Sequence, residues 1–138
     1  SHVLLQAGVG GMAAAVAAHL RRAWGDGPCI VVVEPDAAPA LIESVRAGRV
    51  VDTVGPVSAM GRLDCKTPSL IALNGLARDA DRFVTVTEAQ ATEAVARLSA
   101  AGRPTTPSGA AGLAAIPALG LPPDATVLAI LSEGPEDG

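Results

Sequence analysis

Apolar residues in this chain arrive in short unbroken runs, separated by longer stretches in which they recur at helical spacing. Val3 to Gln6, Cys29 to Glu34 (CIVVVE), Val50 to Val54, Arg82 to Thr87 (RFVTVT) and Thr126 to Leu131 (TVLAIL) read as strands. A run such as CIVVVE, bounded by turn residues and without a polar alternate, predicts a strand buried on both faces, and TVLAIL reads the same way. RFVTVT alternates instead. Between these runs, Met12 to Trp24, Ala40 to Ala47, a segment opened by Pro68 and running to about Ala80, Glu88 to Ala101, and Gly109 to Leu119 carry the helical signal. Gly25-Asp26-Gly27-Pro28 stops the first helix and Gly48 the second, while Thr87 and Ser108 stand where N-caps belong. Pro117 is expected to kink or shorten the last helix. Gly55 to Thr67 reads as an irregular loop.

Strands separated by helices of this length imply βαβ units and a parallel sheet. Right-handed crossovers then place helices on both faces, which gives a Rossmann-like three-layer α/β fold. Residues 1–138 are expected to form one domain, with 134–138 a frayed polar tail. Ligands in such sheets sit beyond the carboxyl ends of the strands. Three segments fall there: Gly8 to Met12, Glu34-Pro35-Asp36, and Ser132-Glu133-Gly134.

Composition narrows the chemistry. The chain is 49% hydrophobic but 1% aromatic, with Trp24 and Phe83 its only rings, so alanine, valine and leucine must build the core. Net charge is −4 and the ten basic residues are scattered, which argues against nucleic-acid binding. No apolar run is long enough to span a bilayer, and no signal peptide is recognisable, so a cytoplasmic setting is expected. Cys29 and Cys65 are expected to be free thiols, and neither they nor His2 and His19 have metal-ligand spacing. His19, near the end of the first helix, is read as a residue that caps carbonyls.

The candidate chemistry sits at Gly8-Val9-Gly10-Gly11-Met12, where the first strand turns directly into an alanine-rich helix. Glycines at such a turn let amides converge without Cβ interference, and the helix N-terminus adds partial positive charge, so the turn attracts a phosphate. A ligand-free βα turn is the plain alternative. The dinucleotide fingerprint G-x-G-x-x-G is only partly met, because Gly8 and Gly10 fit but position 13 is Ala13, while Glu34 stands near where a ribose-binding acid belongs. The other reading of Glu34 and Asp36 is that an acid after a strand caps a helix, with no catalytic role.

HVLLQAGVGGMA, then IVVVEPD, MGRLDCKTPS, PSGAAGLAA and AILSEG, in this order, resemble the C-terminal part of 2,3-diaminopropionate ammonia-lyases. These are fold-type-II, tryptophan-synthase-β-like enzymes dependent on pyridoxal 5′-phosphate (PLP), related to threonine and serine dehydratases. The resemblance implies that Gly8, Val9, Gly10, Gly11 and Met12 cradle the cofactor phosphate and that Ser132 faces the pyridine nitrogen. Ser108 and Gly109 are placed near the cofactor rim. The implied reaction is β-elimination from a small amino-acid substrate, giving a 2-oxo acid and ammonia.

The same resemblance exposes a gap, because the family's Schiff-base lysine and general-base carboxylates belong upstream of the phosphate loop. The one lysine here, Lys66, lies in the irregular loop, where a solvated surface role is expected. No catalytic residue is therefore assigned within these residues. The chain reads as half an active site that requires a missing N-terminal half or a partner chain, and homo-oligomerisation is expected to cover its apolar surfaces. The alternative is a non-catalytic α/β module that binds a phosphorylated small molecule or a partner chain.

Overall fold

The computed structural model describes residues 1–136. Four strands, β1 (His2–Gln6), β2 (Cys29–Pro35), β3 (Arg82–Val86) and β4 (Val127–Ala129), form one sheet in the order β3-β2-β1-β4. Every pairing is parallel, with Leu4 opposite Val31 on one side and Ala129 on the other. The crossovers carry α1 (Gly11–Trp24), α2 (Ala40–Ala47), α3 (Leu70–Asp79), α4 (Glu88–Ala100) and α5 (Pro107–Ala114), with a short 3-10 turn at Ile116–Ala118.

Side-chain alternation along β1 and β2 divides the core into two layers. Val3, Leu5, Ile30 and Val32 meet Ala13, Ala17 and Leu20 of α1, Leu41 of α2, and Leu73 and Leu76 of α3. Leu4, Val31, Val33 and Val86 point the other way, onto Ala91 and Ala94 of α4 and Ala110, Ala111 and Ala114 of α5. The expected three-layer parallel α/β fold is therefore the observed one. Alanines at the helix contacts let the helices approach the sheet closely. Neither ring contributes a buried anchor: Trp24 is 57% exposed and Phe83 only half-buried.

Several local expectations need correction. Val50 to Val54 is not a strand. The amide of Val51 donates to Ser44 Oγ (2.9 Å) and that of Thr53 to the Lys66 carbonyl (2.8 Å), while Val54 is fully exposed and has no face to bury. The last apolar run pairs over only Val127–Ala129 and lies at the sheet edge, so it is part-exposed rather than buried. Helix α3 begins after Ser69, whose hydroxyl accepts from the Ala72 amide, and Pro68 precedes the cap. Helix α5 is capped by Thr106, with Pro107 in its first turn, rather than by Ser108. Thr87 does cap α4, in a capping box with Gln90, and Pro117 does end α5 early by forcing a 3-10 turn. At the end of α1 it is Arg21 that takes the Gly25 and Pro28 carbonyls, while His19 is exposed. Gly134 to Glu136 is irregular, and the rest of the expected tail, Asp137 and Gly138, lies outside the described residues.

Candidate functional site

β1 ends at Gln6, and the chain turns into α1 through Gly8, Val9 and Gly10. Gly10 is the N-cap, with φ of 99°, a left-handed conformation that strongly favours glycine. A Cβ at Gly10 would come within 3.1 Å of both Ala72 and Leu41, so its open side faces the core rather than a ligand. A Cβ at Gly8 would meet the Arg62 carbonyl at 2.9 Å and Cys65 Sγ at 3.0 Å. At Gly11 it would meet nothing within 4 Å. The three glycines thus do different work: Gly10 makes the turn, Gly8 admits the facing loop, and Gly11 borders open space. The first helical bond is from the Ala14 amide to the Gly10 carbonyl (2.8 Å). The amides from Gly8 to Ala13 donate to no acceptor among the described residues. Their residues line a cleft of about 220 Å³ together with Gln6, Arg62, Leu63, Cys65 and Ser132. An array of free amides at a helix N-terminus suits an anion.

The segment Gly55 to Thr67, between α2 and α3, forms the facing wall and has no regular structure, as expected, yet it is tightly held. Met60 is fully buried, and the Ser58 hydroxyl donates to Glu88 (2.5 Å). Lys66 is not the solvated lysine that the sequence suggested. Its ammonium group donates to the Ala37 and Pro56 carbonyls (2.8 Å each) and to Asp64 (2.6 Å), which uses its three donors. This ion pair holds the Asp64 carboxyl below its ordinary range. Lys66 is a clamp for the loop. Arg62 Nε contacts Glu133 (2.6 Å), and Glu133 also accepts from Thr106 Oγ1, so the segment after β4 is tied both to this wall and to the start of α5.

Ser132 lies on the open rim of the cleft, across from the glycine turn. Its Oγ accepts from Gln6 Nε2 (3.0 Å), and the other Nε2 proton goes to the Ile130 carbonyl (2.8 Å). Gln6 is 2% exposed, and its Oε1 is a buried oxygen without a partner. A Cβ at Gly112 of α5 would stand 3.1 Å from that oxygen, so glycine there makes room for the amide. An orphaned buried acceptor costs about 1–3 kcal/mol. Turning the amide over would oppose Oε1 to the Ile130 carbonyl and lose that bond as well, which fixes the orientation. Sequence reading missed Gln6, although a glutamine closing an otherwise aliphatic strand was a visible signal.

The second candidate loop does not reach this cleft. Glu34 is fully buried, and its two carboxyl oxygens accept from the amides of Leu41 (2.7 Å) and Ile42 (2.9 Å) in the first turn of α2. It is a helix cap, as the plain reading held, and it is closed to any ribose. Burial pushes its pKa up to about 7, against the pull of the two amides. Asp36 is exposed. Ser108 is 4% exposed, and its hydroxyl accepts from the Arg62 amide (3.2 Å), so it braces the facing wall without lining the cleft. A Cβ at Gly109 would clash with Thr105 Oγ1, so that glycine is there for packing.

Comparison with known proteins identifies the family and the fold. Residues 1–133 match the family model described as "Pyridoxal-phosphate dependent enzyme". Among solved structures, the threonine deaminase of T.th. is 28% identical with a TM-score of 0.90, over 99% of this chain and 50% of that one. Diaminopropionate ammonia lyase from Escherichia coli, in complex with an aminoacrylate-PLP azomethine reaction intermediate, is 30% identical with a TM-score of 0.84, over 96% and 38%. A serine racemase from maize, 19% identical with a TM-score of 0.88 over 99% and 43%, shares the fold. The chain thus spans about half or less of the length of these relatives. No curated protein matched. No helix among the described residues is long and apolar enough to cross a membrane. By its family match over nearly its whole length, its fold and its glycine-turn cleft, this chain belongs to the pyridoxal-phosphate-dependent enzymes of fold type II.

Proposed function

We propose that these residues form the cofactor-phosphate and ring-nitrogen side of a PLP-dependent carbon–nitrogen lyase of the diaminopropionate ammonia-lyase kind. The observation that carries this reading is the pairing, within one cleft, of unspent amides from Gly8 to Ala13 with a serine hydroxyl on the opposite rim. The amides of Gly8, Val9, Gly10, Gly11 and Met12 hold the phosphate, and the α1 dipole adds to their field. Ser132 meets the ring nitrogen. As a neutral hydroxyl it does not force that nitrogen to stay protonated, as a carboxylate would. Leu63, buried in the layer under α4 and α5, and Cys65, whose Sγ lies beside Gly8, line the facing wall of the cleft. Bound PLP supplies an electron sink for charge developing on the substrate's α-carbon. The reaction is β-elimination from a small amino acid, giving a 2-oxo acid and ammonia, a reading supported by the 30% identity to the diaminopropionate enzyme.

The lysine that anchors the cofactor, and the acid–base carboxylates, come from outside these residues, because Lys66 is committed to the loop. We place the complementary part, or a second copy, along the open edge of β4, where Leu128 and Leu131 are exposed. A monodisperse monomer in light scattering argues against a second copy there. A non-catalytic phosphate-binding module is the competing reading, and the committed Lys66 favours it for this chain alone. The decisive experiment is a titration of the purified chain with PLP, followed by borohydride reduction and mass mapping. The expected outcome is reversible binding displaced by inorganic phosphate, with no adduct on Lys66. A specific adduct on Lys66, or binding indifferent to phosphate, overturns the proposal.

A further inference from the structure

The wall that faces the glycine turn is held by two different forces. From Ser58 to Leu63 it is rooted by burial, with Met60 and Leu63 packed in the layer under α4 and α5. From Asp52 to Val57, and again from Asp64 to Thr67, every residue is half-buried or exposed. Hydrophobic burial does not hold these two limbs, yet the second carries Cys65, which lines the cleft with its Sγ beside Gly8. Lys66 joins them. Its carbonyl accepts from the Thr53 amide (2.8 Å) and hydroxyl (3.2 Å). Its ammonium group sits among three oxygens, the Ala37 and Pro56 carbonyls and one oxygen of Asp64, and so ties both limbs to the chain leaving β2. A Cβ at Gly55 would clash with the same Ala37 carbonyl, so the first limb lies directly on it. Two carbonyls and a carboxylate around one positive centre are oxygen donors of the kind that hard cations take. Here the cation is tethered to the chain.

We propose that Lys66 is a positioning residue for the anion cleft: its ammonium group fixes the Asp64–Thr67 limb, and Cys65 with it, against the glycine turn, from an oxygen cage that a free ammonium or potassium ion refills when the side chain is removed. The inference rests on the PLP reading above and deepens it, by making ligand binding depend on a group outside the cleft. Neither Lys66 nor Asp64 lines the cleft, so Lys66 acts through the wall and not on the ligand. Without the clamp the limb is in place for only a fraction of the time, and the apparent affinity falls by that fraction.

The test uses the 138-residue chain and pyridoxamine 5′-phosphate, whose amine cannot form an imine with a lysine. Binding is measured by calorimetry at equal ionic strength in three chlorides: tetramethylammonium, whose cation is bulky and has no N–H, ammonium, and potassium. The natural chain should bind equally well in all three. Lys66→Ala should bind roughly tenfold more weakly in tetramethylammonium, as for a wall in place about one tenth of the time, and regain most of that loss in ammonium or potassium. Adding Asp64→Asn to Lys66→Ala should abolish the rescue, because the cage loses its charge. Binding by Lys66→Ala that matches the natural chain, a loss that no cation restores, or a rescue that survives Asp64→Asn overturns the role of Lys66 and leaves the cofactor reading intact. A Lys66→Ala chain that is unfolded in every salt by circular dichroism overturns it too, because the side chain then supports the whole fold rather than the wall. Absence of phosphate-displaced binding in the natural chain overturns the cofactor reading, and this inference with it.

Discussion

Helices α1 and α2 begin beyond the carboxyl ends of neighbouring parallel strands, and each turns its first amides toward that edge of the sheet. At α2 the protein supplies the acceptor itself: the Glu34 carboxyl, buried at the end of β2, takes the amides of Leu41 and Ile42. At α1 the equivalent amides stay free, Gly10 offers no side chain to cap them, and Gly11 borders open space. The dipoles are alike, but the α2 end is a structural joint, while the α1 end is the anion site we propose. A helix N-terminus becomes a site only when the fold withholds its internal cap.

The sharpest way to break this contrast is to give α1 a cap of its own. Gly11→Asp adds a carboxylate beside the free amides proposed to hold the cofactor phosphate. Like charges at about 4 Å repel by roughly 4 kcal/mol at an intermediate dielectric, so phosphate and PLP affinity should fall about a thousandfold by calorimetry. The fold should survive, because an acid in the first helical turn is favourable. By contrast, Gly10→Asp would tell little about the site: its side chain would be driven against Leu41 and Ala72 in a left-handed backbone, and the loss would come from misfolding. The converse experiment opens α2. Glu34→Ala leaves two buried amides without an acceptor and should cost about 3 kcal/mol in urea unfolding at pH 5, with phosphate binding at α1 unchanged.

A smaller effect follows from the pKa of Glu34, raised from 4.5 to about 7. A carboxyl that holds its proton more tightly folded than unfolded stabilises the fold fully below the unfolded value. That contribution is lost as pH rises through the folded one. Stability should therefore decline between about pH 4.5 and 7, by something on the order of 2 kcal/mol, and Glu34→Gln should flatten the decline. The smallest change, Gly112→Ala, pushes a methyl toward Gln6 Oε1 and should cost about 1 kcal/mol. It should also displace the Ser132 hydroxyl and weaken ring binding more than phosphate binding.

How much of this was legible beforehand follows a physical line. Buried strands, helix stops and the glycine turn write themselves into local sequence, because a two-faced parallel strand must be aliphatic and a left-handed cap favours glycine. CIVVVE as a buried strand and QAGVGG as a strand-to-helix turn were read correctly for that reason. Val50 to Val54 has the right residue types for a strand but no neighbour to pair with, and β-propensity alone cannot supply one. Ser108 and Thr106 are both fair N-caps, and the position of Pro107 distinguishes them only once the helix start is known.

The sequence alone determined the alternation of strands and helices, the aliphatic core and the glycine turn, all of which depend on residues close together along the chain. Only the tertiary structure decided which helix end is open and which is closed, that Lys66 is spent on carbonyls from two separate segments, and that Gln6 stands behind Ser132. These outcomes depend on groups brought together from distant parts of the chain, such as β1 and the segment after β4. Hydrogen-bond direction and burial exist only after that closure, so no local pattern could have carried them.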